Sequence, residues 1–152
     1  MTVLSTTRIT TTSNRDRHEV IVDTSVWSLA LRRKARADSS AVIEQLSDLI
    51  TNDQVVIIGA IRQEILSGVR HVEQFQKLRN YLGAFPDLTL SHDDYELAAE
   101  FFNTCRRNGV QGSNTDFLLC AVAHRRRYAI FTTDKDFENF KAHIPIQLWN
   151  VE

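Results

Sequence analysis

Residues 19–27, EVIVDTSVW, decide how the rest of the chain is interpreted. The apolar run Val20–Val22 contains β-branched residues and is typical of a strand that is buried on both faces of a parallel sheet. The run ends at Asp23, and the hydroxyl residues Thr24 and Ser25 can cap a following helix. Because ligands bind at the carboxyl ends of strands in open parallel sheets, Asp23 is the first candidate for a functional residue.

Apolar runs and helical patterns alternate along the remainder of the chain. Strands are predicted at residues 20–22, 55–58, 88–90, 129–131 and 146–149, helices at 26–32, 40–51, 60–67, 72–82, 91–108 and 115–127, and an exit loop at 132–136. This alternation predicts an α/β fold in three layers, with a central, mostly parallel sheet between helices.

The bulk composition fits one ordinary globular domain. The chain has 152 residues, of which 43% are hydrophobic and 24% charged. The net charge of -1 gives no overall attraction to nucleic acid or membrane, so such binding would need local patches. Cys105 and Cys120 lie in apolar, helix-like surroundings, which predicts buried, reduced thiols in a cytoplasmic protein. No apolar run approaches the roughly 18 residues that span a bilayer.

Residues 1–18 differ in composition from the rest of the chain. They are rich in Thr, Ser and Arg and show little apolar periodicity, so we expect a flexible tail before a folded domain at 19–152. The segment lacks the apolar core of a secretory signal. An organellar transit peptide and a misassigned start are the alternatives for this segment.

Five acidic residues are expected at one edge of the sheet. Asp23 ends the first strand, Glu64 lies in the helix after the second, Asp116 begins a later helix, and Asp134 and Asp136 follow the strand at 129–131. Each acid alone is readily explained as a helix cap or a solvated loop residue. Together they would repel, since two carboxylates about 5 Å apart cost roughly 3 kcal/mol at an effective dielectric of 20. Converging acids would therefore have to protonate, spread apart or bind a divalent cation, and we expect the cation.

The donor atoms of this predicted site select the metal and its chemistry. Carboxylate oxygens suit Mg²⁺, with Mn²⁺ as an alternative, and no Cys/His group in the sequence has zinc spacing. Mg²⁺ usually keeps several waters and takes substrate phosphate as a ligand. The predicted chemistry is metal-assisted phosphodiester hydrolysis.

Four stretches carry a resemblance to a known family: VDTSVW at 22–27, IRQEILSG at 61–68, SNTDFLLCAVAHRR at 113–126 and IFTTDKDF at 130–137. In this order they resemble a PIN-domain ribonuclease of the VapC type, the toxin of a bacterial toxin–antitoxin pair. The resemblance covers about residues 20–149. It implies an α/β/α sandwich that forms homodimers, cuts RNA at few sites and is neutralised by a cognate antitoxin.

The resemblance also implies roles for individual residues. The implied catalytic acids are Asp23, Glu64, Asp116 and Asp134. The implied Mg²⁺ ligands are Asp23, Asp116, Asp134 and Asp136, and the implied supporting residues are Thr24, Ser25 and Thr132.

An acidic centre that binds RNA needs cations around it. The first candidates are Arg32, Arg33, Lys34 and Arg36, followed by Arg106, Arg107 and residues 125–127. The ordinary alternative is that these are solvated helix ends, which the helix dipole favours. Trp27 is expected in core or dimer packing rather than as a platform for a base.

Other readings of the sequence stay open. A phosphatase of the haloacid dehalogenase type also uses a strand-end Asp, but it needs a second Asp where this chain has Ser25. A phospho-acceptor receiver domain needs an acidic pair at the first strand end, whereas here Glu19 precedes the strand. A catalytically silent PIN-like module that binds RNA or protein is the third alternative, and the intact acid set argues against it. Metal titration distinguishes these readings.

Overall fold

A computed structural model of the chain describes residues 18–31 and 40–150. Within these ranges the elements are β1 (Val20–Val22), α1 (Thr24–Leu31), α2 (Ser40–Thr51), β2 (Val55–Val56), α3 (Gly59–Leu66), α4 (Val72–Leu82), α5 (His92–Arg107), α6 (Asn114–Arg126), β3 (Ala129–Phe131), α7 (Asp136–Lys141) and β4 (Gln147–Leu148). The four strands form one sheet in the order β2-β1-β3-β4, and every pair is parallel. The predicted α/β architecture, with helices flanking a parallel sheet, is confirmed.

Strand β1 lies at the centre of the sheet. Val20 pairs with Val55 of β2 on one side and with Ala129 of β3 on the other. All three residues of β1 are fully buried, which explains its unbroken apolar sequence. Because β1 and β3 are parallel and in register, the residues that follow them lie at the same edge of the sheet, and the backbone N–H of Asp23 donates to the carbonyl of Phe131 at 2.8 Å.

Helix α6 forms the centre of the helical packing. Its residues from Phe117 to Ala123 are all buried, so the helix is covered on every side rather than along one stripe. It packs against α5, and the two cysteines, Cys105 and Cys120, are both buried with free thiols. The predicted burial of the cysteines is thus confirmed.

The structure corrects the sequence prediction in the region that follows α4. Residues 88–90 do not form a strand; a single parallel bridge joins Ile57 to Asp87, and Leu88 donates to the carbonyl of Ile57 at 3.0 Å. The chain has no length for a strand here, because the capping box at Ser91 already begins α5.

Two further predictions of secondary structure were wrong. Strand β2 ends at Val56 rather than at residue 58, because Ile58 is the N-cap of α3 and its carbonyl accepts from Ile61 and Arg62. Helix α7 was missed: the exit loop was expected at 132–136, and no element was predicted at 137–141. Its six residues are too few for a visible period, although the buried pair Phe137 and Phe140 has helical spacing. The other helix and strand limits differ by one or two residues.

Some predictions concern residues outside the described ranges. The tail at 1–17 and the cation group Arg32, Arg33, Lys34 and Arg36 are among them. His18, the last residue of the predicted tail, is described, and its carbonyl accepts a hydrogen bond from Gln54 Nε2 at 2.8 Å. None of the helices in the described ranges is long and apolar enough to cross a membrane.

Candidate active site

Asp23 lies in the turn between β1 and α1 and is 5% exposed. Its Oδ2 accepts hydrogen bonds from Ser25 Oγ at 2.8 Å and from Thr132 Oγ1 at 2.9 Å. Burial raises the pKa of the Asp23 carboxyl above its ordinary value, and these hydrogen bonds offset part of the rise. Two of the three predicted supporting residues, Ser25 and Thr132, therefore contact this carboxylate directly.

The same two hydroxyls hold the loop that carries Asp134. The backbone N–H of Thr133 donates to Ser25 Oγ at 3.1 Å, and the N–H of Asp134 donates to Thr132 Oγ1 at 3.0 Å. Each hydroxyl thus accepts from the loop backbone and donates to Asp23. The position of Asp134 is in this way tied to the position of Asp23.

Asp116 begins helix α6 and takes part in a capping box. Its N–H donates to Ser113 Oγ at 3.0 Å, and its Oδ2 accepts from the N–H of Ser113 at 3.1 Å. Burial raises the pKa of Asp116, and the negative charges of Asp23 and Asp134 raise it further. The three aspartates are therefore close enough to repel one another, as the sequence predicted.

Glu64 lies in the last turn of α3 and is exposed. Its Oε1 accepts a hydrogen bond from Thr24 Oγ1 at 2.8 Å, which links α3 to the first residue of α1. Thr24 was predicted to help hold Asp23 or a bound water; its backbone hydrogen-bonds Asp23, and its side chain binds Glu64. Asp136 is exposed at the start of α7, and its N–H donates to Asp134 Oδ1 at 2.9 Å. The roles of Glu64 and Asp136 stay predictions.

The donor set suits a magnesium ion by its chemistry. Its members are carboxylates, and burial raises the pKa of two of them, Asp23 and Asp116. Among the described residues, however, no three His, Cys, Asp or Glu side chains are arranged so that they could hold a metal ion. Mg²⁺ commonly binds through only one or two carboxylates and several waters, which this arrangement allows.

The cations of α6 have a structural role. Arg125 and Arg126 both donate to Oδ1 of the buried Asp94, at 2.7 and 2.9 Å, and Arg126 also donates to the carbonyl of Thr89 at 3.1 Å. Both guanidinium groups are held by a carboxylate that the sequence did not indicate as their partner, and their role as RNA contacts stays a prediction. Arg127 ends α6 with a left-handed backbone and is exposed.

Trp27 is fully buried, and its ring lies edge-on to Phe85 with the ring centroids 5.4 Å apart. Its predicted place in packing, rather than as a platform for a base, is confirmed. Sequence reasoning missed Ser113, which fixes Asp116. The spacing of Ser113 and Asp116, three residues apart before an apolar run, was the available signal.

A parallel sheet with aspartates gathered at the carboxyl ends of β1 and β3 defines an α/β protein with an acidic site at the sheet edge. The family model of the PIN domain matches residues 20–142, and the chain belongs to this family. The family resemblance found in the sequence is confirmed. No match was found among the curated proteins.

Solved structures with a similar fold include proteins from three bacteria. The crystal structure of FitAcB from Neisseria gonorrhoeae has a TM-score of 0.68 at 18% identity and covers 86% of this chain and 96% of its own. VapBC2 from Rickettsia felis, bound to a DNA fragment from the promoter, has the same TM-score and identity and covers 86% and 98%. A toxin–antitoxin complex from Klebsiella pneumoniae has a TM-score of 0.57 at 21% identity and covers 78% and 90%. At these identities the likeness shows a shared fold.

Proposed function

We propose that the protein is a Mg²⁺-dependent endoribonuclease of the VapC type, a toxin that a cognate antitoxin neutralises. The observation that carries the proposal is the arrangement at one edge of the sheet, where Ser25 and Thr132 join Asp23 to the loop that carries Asp134, and where Asp116 lies near both acids. PIN domains are generally nucleases that use divalent metals, and solved structures of similar fold are toxin–antitoxin complexes. RNA as the substrate rests on the sequence resemblance.

The carboxylates would have two different roles in hydrolysis, metal binding and proton transfer. Mg²⁺, or Mn²⁺ as a substitute, would take one or two of the carboxylates of Asp23, Asp116, Asp134 and Asp136 as ligands, with waters completing its coordination. The bound ion supplies a Lewis acid for the phosphate and lowers the pKa of a bound water. Glu64 is exposed and hydrogen-bonded to Thr24, so it can accept the proton of the attacking water.

The hydroxyl groups make the site rigid before the substrate binds. Ser25 and Thr132 fix one oxygen of Asp23 and the backbone beside Asp134, so both acids keep their separation. Such outer hydrogen bonds orient metal ligands and raise metal affinity. Water attacks the phosphorus, and the bond to the leaving ribose oxygen breaks as that oxygen gains a proton.

The antitoxin needs a surface on which to bind. A cavity of about 740 Å³ lies between α1, the end of α3, and α4, and it is lined by Leu31, Ile65, Leu78 and Tyr81 with Lys77 at its side. An amphipathic segment with acidic residues would fit this groove by apolar contact and charge. We also propose a homodimer, on the sequence resemblance alone, and a cytoplasmic location, in which the buried free thiols of Cys105 and Cys120 stay reduced.

The proposal is tested by cleavage of total cellular RNA with the purified protein, in Mg²⁺ and in EDTA. Three proteins are compared: the wild type, Asp23→Asn, and Asp48→Asn, which changes an exposed acid on α2. Discrete products that require Mg²⁺, persist in Asp48→Asn and vanish in a folded Asp23→Asn support the nuclease.

Each alternative has its own result in this experiment. RNA binding without cleavage would favour a silent module, and release of phosphate from para-nitrophenyl phosphate with intact RNA would favour a phosphatase. Cleavage that is equal in Asp23→Asn and the wild type would overturn the assignment of the metal site.

A further inference from the structure

Among the described residues, two basic side chains lie within two positions of an acid of the proposed site, and they differ in their contacts. Arg62 of α3 donates to Asp87 Oδ1 at 2.9 Å, to the carbonyl of Leu82 at 2.8 Å and to the carbonyl of Phe85, so its guanidinium is fully engaged. Lys135, between Asp134 and Asp136, is exposed. Its ammonium makes no hydrogen bond and no salt bridge to any residue that the structure describes.

The backbone of Lys135 is fixed although its side chain is free. Its carbonyl accepts from the N–H of Glu138 at 3.1 Å, and on either side the N–H groups of Asp134 and Asp136 are bound to Thr132 Oγ1 and Asp134 Oδ1. The Cα atoms of consecutive residues are about 3.8 Å apart, so the stem of Lys135 starts beside both acids. An exposed cation is thus attached to a hydrogen-bonded loop that borders the site.

The stability of helix α7 does not explain this lysine. Lys135 is the N-cap of α7, a position that Ser, Thr, Asp and Asn favour, and it makes no side-chain capping bond. The start of a helix attracts negative charge and disfavours a cation. Lys141 lies in the last turn of the same helix, where a cation is favourable. The helix dipole explains the position of Lys141 but not that of Lys135. Lys141 is therefore a suitable control for Lys135.

We propose that Lys135 contacts a backbone phosphate of the RNA strand as it crosses the acidic site. The proposal rests on the proposed nuclease function and names a residue that binds its substrate. An RNA backbone is repelled by clustered carboxylates, and a compact ammonium on a flexible stem is a common phosphate ligand. Lys135 would reduce this repulsion where the strand approaches Asp134.

The test measures the binding of a fluorescein-labelled, mixed-sequence, single-stranded RNA by fluorescence anisotropy. The full-length wild type, Lys135→Gln, Lys135→Arg and Lys141→Gln are titrated in EDTA over a range of salt concentrations. One lost phosphate contact lowers the slope of log affinity against log salt by about 0.7, which is about fivefold in affinity at 0.1 M salt. We expect this loss in Lys135→Gln, recovery in Lys135→Arg, and an unchanged slope in Lys141→Gln.

The outcomes separate this proposal from the function on which it rests. An unchanged slope in Lys135→Gln, an equal loss in Lys141→Gln, or no RNA binding by the wild type would overturn the lysine contact. Mg²⁺ affinity is measured on the same variants. If Lys135 only balances the charge of the acids, Lys135→Gln would bind Mg²⁺ more tightly while its RNA slope stays unchanged. A wild type that binds RNA but does not cleave it in Mg²⁺ would overturn the nuclease and leave the contact in place.

Discussion

Thr132 donates a hydrogen bond of 2.9 Å to Oδ2 of Asp23, across 109 positions of the sequence. The same hydroxyl oxygen accepts from the N–H of Asp134 at 3.0 Å. One side chain on the exit of β3 therefore sets the orientation of the central carboxylate and the path of the loop that carries the next acid. Removing this hydroxyl should disturb both acids at once.

The variant Thr132→Val keeps the shape of the side chain and removes both hydrogen bonds. Because a hydrogen bond that lowers the pKa of Asp23 is lost, this pKa should rise further. We expect Mg²⁺ affinity to fall about 10–100-fold, as for other outer-shell partners of metal ligands, and the free energy of unfolding to fall by about 1–3 kcal/mol. Isothermal titration with Mg²⁺ and urea denaturation measure the two effects.

Thr133→Val is the matched control for this prediction. Thr133 is exposed in the same loop, and it contacts Ser25 Oγ through its backbone N–H, which the substitution keeps. Its metal affinity and stability should match those of the wild type. Equal losses in the two variants would show that the loop is sensitive to any added methyl group, and the role given to the Thr132 hydroxyl would then be wrong.

The raised pKa values of Asp23 and Asp116 predict the dependence of metal binding on pH. Both carboxyls start from 3.8 and are raised first of all by burial, so they take up protons at a higher pH than an exposed aspartate. Mg²⁺ binds the ionised form, so its affinity should fall, as the pH is lowered, before pH 3.8 is reached.

Between pH 3.8 and the raised pKa, the native state holds more protons on these two carboxyls than the unfolded state. These two groups therefore stabilise the metal-free fold as the pH falls through that window.

The measurement is a series of Mg²⁺ titrations from neutral to acidic pH, with Asp116→Asn beside the wild type. The charge of Asp23 contributes to the raised pKa of Asp116. The charge of Asp116 should act on the pKa of Asp23 in the same direction, and the Asp116→Asn variant removes that charge. The pH at the midpoint of the loss of Mg²⁺ affinity should therefore be lower in Asp116→Asn than in the wild type. A midpoint that does not move would mean that the two carboxylates do not interact.

Asp94 joins the start of α5 to the end of α6. Its side chain is fully buried and receives both Arg125 and Arg126. Burial alone would raise the pKa of Asp94, but hydrogen bonds from Arg126, the Ser91 N–H and Arg125 hold it well below 3.8. The stabilisation from this group is complete above 3.8 and is lost as the pH falls through the lowered pKa.

The variant Asp94→Ala leaves two guanidinium groups without their shared carboxylate. Removing one partner of a buried ion pair costs about 3–5 kcal/mol, and we expect the lower end because both arginines reach solvent. Denaturation with urea measures the loss. Asp93→Ala, at the exposed neighbouring position, should change stability by less than about 0.5 kcal/mol. Equal stability of Asp94→Ala and the wild type would contradict the structural role of this cluster.

The parallel sheet and the convergence of three aspartates could be predicted because both follow from short, local patterns in the sequence. The strands β1 and β3 are short apolar runs; Asp23 follows the end of β1 directly, and Asp134 lies three residues after the end of β3. Where strands are parallel, their carboxyl ends meet, so the position of such residues follows from topology alone. Glu64 was placed in the helix after the second strand, and its contact with Thr24 lies between two separate helices.

Contacts that depend on tertiary packing could not be predicted in this way. Arg125 and Arg126 resemble a solvated basic helix end, and their partner Asp94 is more than thirty residues away. The direction of the Thr24 hydroxyl depends on how α3 packs beside α1, which no local pattern encodes. Helix α7 has six residues, which is less than two full turns, so its period is hidden.

Gly112 allows the loop before Asp116 to pack against α7. A Cβ atom at this position would lie 2.5 Å from Phe140 Cζ and 2.9 Å from Phe117 Cε2, and both rings belong to the buried core. Gly112→Ala should therefore displace the start of α6 and cost about 1–3 kcal/mol in stability. Because Asp116 is anchored at this helix start, Mg²⁺ affinity should fall as well. Gly59→Ala is the control, since its Cβ would meet only Asp87 Oδ2 at an ordinary 3.5 Å. Thermal unfolding and Mg²⁺ titration of both variants test the prediction, and a Gly112→Ala protein as stable as Gly59→Ala would refute it.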